Sequence, residues 1–81
     1  METRLAIIGI IVEDRSSAQA VNQLLSEFGD EIKGRMGIPY DKKDVNVISV
    51  VIDAPMDDIS ALSGKLGALP GVSTKTVYSK K

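Results

Sequence analysis

The 81-residue chain predicts a two-layer α+β fold with the element order βαββαβ. Three observations carry that prediction. Two long runs of β-branched and aliphatic residues, Leu5 to Val12 and Val45 to Ile52, have the composition of strands. Each is followed by apolar residues at helical spacing: Ala18, Val21, Leu24, Leu25 and Phe28 after the first, then Ile59, Leu62, Leu66 and Leu69 after the second. Each helical stretch leads into one further strand-like segment, Ile32 to Tyr40 and Val72 to Tyr78.

The boundaries follow from the residues between these runs. Glu13-Asp14-Arg15 ends the first strand, and Ser16 or Ser17 is expected to cap the first helix, because a serine oxygen can accept from a free helix N–H. Gly29 is expected just past its end. The segment from Ile32 to Tyr40 carries Gly34, Gly37 and Pro39, which belong in a bulged edge strand. Asp41-Lys42-Lys43-Asp44 is a charged turn. Pro55 opens the second helix, and Asp57 and Asp58 fall in its first turn, where the helix dipole favours anions. Gly64 and Gly67 lie inside that helix at a cost of about 1 kcal/mol each relative to alanine, which suggests close approach of helix to sheet. Gly9 suggests a close backbone approach or a bulge in the first strand. Pro70-Gly71 is the turn into the last strand. The whole is expected to be one domain over residues 1–81, a ferredoxin-like sandwich with a four-stranded antiparallel sheet and both helices on one face. Right-handed crossovers are expected to place the first and third strands side by side and parallel in the centre.

Alternation along those two strands raises a burial problem. One face of the first strand receives Leu5, Ile7, Gly9 and Ile11, and the other Ala6, Ile8, Ile10 and Val12. The third strand divides into Val45, Val47, Ser49 and Val51 against Asn46, Ile48, Val50 and Ile52. Both faces are largely apolar, yet two helices cover only one. A second copy of the chain, packed sheet to sheet or joined edge to edge into a larger sheet, is the simplest cover, so a homodimer or homotetramer is expected.

Composition narrows the chemistry. The chain has no Cys and no His, which removes disulfides, thiolate metal sites and the usual acid–base group near neutral pH. No metal site and no cofactor are expected. Ten basic against 11 acidic residues give a net charge of −1, so no direct nucleic-acid contact is expected, and the three aromatic residues leave the third strand without a base-stacking platform. The apolar run near the N-terminus is too short to span a bilayer and lacks a signal-type cleavage site. The chain therefore reads as a complete cytoplasmic protein without a membrane association. Ser63-Gly64-Lys65 lacks the upstream glycine and the following Ser or Thr of a phosphate loop. Asp57 and Asp58 diverge on a helix and do not make a catalytic pair. The two remaining local features are Glu13-Asp14-Arg15-Ser16-Ser17, an ordinary helix cap with solvated charges or a place where free helix N–H groups hold an anion, and Gly34-Arg35-Met36-Gly37-Ile38-Pro39-Tyr40, a bulged edge strand or a segment whose Arg and Tyr anchor an interface.

The strand, then Asp14-Arg15-Ser16-Ser17, then helix resembles the opening of an ACT domain, a small-molecule-sensing module, and Leu69-Pro70-Gly71-Val72 resembles its close. The ACT pattern carries Pro-Gly where Ser16-Ser17 stands. A longer match joins Phe28-Gly29-Asp30, the Gly34 to Tyr40 string, Val47 to Asp53 and Ile59 to Gly67, and resembles the iron-only hydrogenase system regulator family. That resemblance implies an ACT-like fold related to the effector domain of the nickel-responsive repressor, and a regulatory role in hydrogenase production or maturation. The repressor's nickel site needs His and Cys and is not carried over. The sequence thus predicts a non-enzymatic, homo-oligomeric module that senses a small-molecule effector, or docks a partner, near Arg15, Ser16, Ser17, Arg35 and Tyr40. A ligand-free assembly protein and a small ferredoxin-like enzyme are the alternatives.

Overall fold

The computed structural model describes residues 2–80. Strand β1 (Arg4–Val12) leads through a 3₁₀ turn at Arg15–Ser17 into α1 (Ala18–Glu27), then β2 (Ile32–Tyr40), a second 3₁₀ turn, β3 (Val45–Ala54), α2 (Met56–Gly67) and β4 (Val72–Tyr78). The sheet order is β2-β3-β1-β4. This is the ferredoxin-like βαββαβ sandwich, and every neighbouring strand pair is antiparallel.

The first and third strands do sit together in the centre, but they are antiparallel, not parallel. The reason is topological. Helix α1 returns the chain so that β2 runs alongside β1 in direction but not in position. The tight β2–β3 turn then reverses β3 and inserts it between them. The parallel relation of the crossover is therefore kept by β1 and β2, which do not touch.

The core lies between the sheet and the helices. Ala6, Ile8, Ile10 and Val12 of β1 and Ile48, Val50, Ile52 and Ala54 of β3 meet Val21 and Leu25 of α1 and Ile59, Leu62 and Leu66 of α2. The period-2 rows of the strands and the 3.6-period stripes of the helices select these residues. Glycine has no packing role at Gly64, where a side chain would meet nothing within 4 Å, and at Gly67 the neighbouring Thr74 hydroxyl is at an ordinary 3.5 Å. The expected close approach of α2 to the sheet is therefore not what those glycines provide. No bulge occurs at Gly9, and the β-bulge expected in β2 lies between Ile32 and Gly34. No helix among the described residues is long and apolar enough to cross a membrane.

Candidate functional site

The β1–α1 junction is built by capping and by a lock to a distant turn. Asp14, not Ser16 or Ser17, supplies the capping oxygen: its carboxylate accepts from the Ser16 N–H at 2.9 Å and from the Ser16 hydroxyl at 2.7 Å. An aspartate in extended conformation before a turn presents its oxygen two residues ahead more readily than serine does. Those two bonds, the hydroxyl's first, hold the Asp14 carboxyl below its ordinary value. Ser17 is buried, and its hydroxyl donates to the Pro70 carbonyl at 2.7 Å. The Glu13 N–H donates to the Gly71 carbonyl at 2.7 Å. Gly71 has φ +67°, and a Cβ there would lie 2.5 Å from the Asp14 Cβ, so only glycine fits both the turn and the contact.

Arg15 leaves this junction to pair with Asp44, which stands in the left-handed region at φ 56° after the β2–β3 turn. Tyr40 pairs with Val45 at the same end of the sheet. The structure thus brings Arg15, Ser16, Ser17 and Tyr40 to one end of the molecule. Arg35 lies elsewhere, five residues back along β2 and on the opposite face from Tyr40, since it pairs with inward-facing Val50.

Arg35 borders a cavity of about 210 Å³ between α1 and β2. The cavity exists because β2 is an edge strand whose inner face α1 leaves open; every residue of β2 after Ile32 is exposed. Val12, Val21 and Ile48 line its apolar part, while Arg35, Asn22 and Asn46 supply the polar groups. The Arg35 guanidinium donates to Asn22 Oδ1 at 2.9 Å. A planar guanidinium beside two amides over an apolar floor suits a small anion with an apolar body. Asn22 and Asn46 were not singled out by sequence reasoning. Their signal was present: Asn46 breaks an otherwise aliphatic row in β3, and Asn22 sits next to the buried Val21 in α1.

Among the described residues, no helix covers the opposite face of the sheet. Leu5, Ile7 and Ile11 of β1, Val47 of β3, Met36, Ile38 and Tyr40 of β2, and Val77 of β4 are between 41 and 65 % exposed. Together they present roughly 700 Å² of apolar surface, above the largest patch of a typical monomer and near the ~800 Å² each partner contributes to a standard interface. At the far end of the molecule, half-buried Glu31 has its carboxyl raised above the ordinary value, first by desolvation and then by hydrogen bonding with and repulsion from Asp58.

Comparison with known proteins places this geometry. A search of curated proteins finds no match. Among solved structures, protein TM1266 from Thermotoga maritima is 44 % identical, with a TM-score of 0.92 over 98 % of this chain and 100 % of that one. The ACT domain of GTP pyrophosphokinase from Chlorobium tepidum shares the fold at 22 % identity and TM-score 0.79, over 93 % of this chain and 99 % of that one. The C-terminal domain of MgtC from Mycobacterium tuberculosis does so at 12 % identity and TM-score 0.74, over 95 % and 88 % of the two chains. The fold is therefore ACT-like. A family model, TM1266-like, matches residues 4–76, and the chain belongs to that family of proposed iron-only hydrogenase system regulators.

Proposed function

We propose that this chain is a non-enzymatic, homo-oligomeric regulatory module of a hydrogenase system that senses a small anionic ligand. The open apolar sheet face is the observation that carries the reading. At about 25 cal/mol per Å², covering that face on two copies gives on the order of 30 kcal/mol gross, which exceeds association costs of roughly 4–15 kcal/mol with room for side-chain ordering. Membership of the regulator family supports the regulatory part.

Ligand and assembly would communicate through β2. That strand turns Arg35 towards the cavity and Met36, Ile38 and Tyr40 towards the open face. A ligand that straightens or shifts β2 changes the surface offered to a second subunit, so it binds one assembly state better than another. Of the other candidate groups, Tyr40 on the open face would meet the second subunit, whereas Arg15, Ser16 and Ser17 are engaged with Asp44, Asp14 and Pro70.

The alternative is a docking protein without a small ligand. One observation favours it: the Ser16 and Ser17 hydroxyls already donate within the chain, to Asp14 and Pro70. A thermal-shift screen against small carboxylates, phosphates and metabolite anions separates the two. The sensor reading expects at least one compound to raise the melting temperature, with the rise lost in Arg35→Ala. A flat screen, with a hydrogenase-related partner recovered by pull-down, would instead establish the docking protein.

A further inference from the structure

We propose that the second copy seats face to face on the open sheet about a two-fold axis running along β3 over Ser49, so that Met36 of each subunit enters a hollow floored by Gly9 of the other. This deepens the proposed function and rests on its homo-oligomeric part.

The register supplies the geometry. Ser49 pairs with Gly9 on one side and with Met36 on the other, and Gly9 pairs with Lys75. The middle row across the open face therefore reads Lys75, Gly9, Ser49, Met36. Around Gly9 the surface dips into a hollow of about 420 Å³, walled by Ile11, Val47, Ser49, Ser73 and Lys75. Met36 stands proud at 63 % exposed. Strands lie about 4.8 Å apart, so Met36 and Gly9 are each one strand spacing from Ser49, on opposite sides of it. A two-fold axis along β3 exchanges these two positions. It sets a large flexible side chain over a glycine, twice per dimer, as interdigitated cores require.

The adjacent row behaves in the same way. Val51 pairs with Ile7 and with Gly34. The same axis brings Ile7 of one copy towards the partner's Gly34, where a side chain would meet nothing within 4 Å. Both glycines of the open face thus oppose large apolar residues, which explains their positions without any bulge at Gly9.

The hollow at Gly9 favours this axis over one along the middle row. An axis along the middle row would lay Lys75 over Lys75 and hollow over hollow. The axis along β3 carries Lys75 one strand spacing beyond the partner's β2, where its ammonium stays in water. Asp53, the carboxylate on this face of β3, lies four residues from Ser49, about 13 Å along the strand. This axis also sets Asp53 opposite its own copy, but aligned sheets cross at about 30°, which turns each β3 about 15° off the axis and moves the two carboxylates apart at the solvated rim.

The chain has no cysteine, so introduced thiols report on this register directly. Gly9→Cys and Met36→Cys chains carrying tags of different length are mixed and treated with a short bis-thiol-reactive linker. The Gly9 site accepts a Cβ, whose nearest neighbour would be the Lys75 carbonyl oxygen at 3.8 Å. The mixed cross-link between the two variants is expected to exceed either self-cross-link at least tenfold. Ser49→Cys, a near-isosteric change on the axis, is expected to cross-link to itself, and Lys75→Cys is not. Self-cross-linking of Gly9→Cys, or dimers that give no mixed cross-link, would overturn the register while leaving homo-oligomerisation standing. A monomeric mass for the unsubstituted chain would overturn both.

Discussion

The two faces of one sheet are made of nearly the same residues and have different physical standing. Towards the helices, Ile8, Ile10, Val50 and Ile52 are almost wholly buried within a single chain. Away from the helices, Ile7, Ile11, Val47 and Val51 are partly or largely exposed, although their chemistry is equivalent. Burial on the first face is intramolecular and independent of concentration. Burial on the second depends on mass action. Aliphatic content thus measures how much surface a sheet needs covered, while the number of helices decides how much of that cover must come from outside.

Substitutions on the two faces should therefore fail differently. Ile8→Ala leaves a cavity in the core and should cost about 2–5 kcal/mol of folding stability in urea titrations, at any protein concentration. Ile7→Ser, one residue away on the other face, should weaken self-association about 30-fold, as loss of an interface anchor worth roughly 2 kcal/mol does, with the folded monomer intact by circular dichroism. Equal effects of the two on monomer unfolding would erase the distinction. Gly71→Ala forces a Cβ against Asp14 at φ +67° and should cost about 1–3 kcal/mol in the same titration.

Two carboxyls sharpen the pH dependence of the covered layer, with opposite signs and the smallest expected effects. Asp14 is held below its ordinary value of 3.8, so its contribution is present above that pH and is lost as pH falls through the lower folded value. Asp14→Ala should lower the melting temperature at neutral pH, and by less in strong acid. Glu31 is raised above its ordinary value of 4.5, so its contribution is present below that pH and is lost as pH rises through the higher folded value. Glu31→Gln should therefore raise the melting temperature slightly at neutral pH and not at all below about pH 4. Melting curves from pH 3 to 8 test both.

Much of this fold could be read in the sequence because periodicity is local. Val72 to Tyr78 and Ile32 to Tyr40 coincide with the expected strands, and Pro55 stands where α2 begins. Long-range relations were less legible. The antiparallel centre follows from where β3 inserts, which strand composition does not encode. The cap passed from serine to Asp14 because Ser17 is occupied by Pro70, 53 residues away. The Arg35–Asn22 bond joins a strand to a helix across a gap left by α1, which periodicity alone does not reveal. Glycines were the least legible of all. Gly71 marked its turn plainly, whereas the role of Gly9 emerges only when its row across the sheet is known.

The mass of the unmodified chain in solution tests most directly whether a second copy covers the open face. Sedimentation equilibrium at low micromolar concentration should give twice or four times the 8.7 kDa of one chain, with Ile7→Ser shifting the distribution towards 8.7 kDa. A stable 8.7 kDa species under those conditions would contradict that cover, because the open face would then be a surface that this chain tolerates in water.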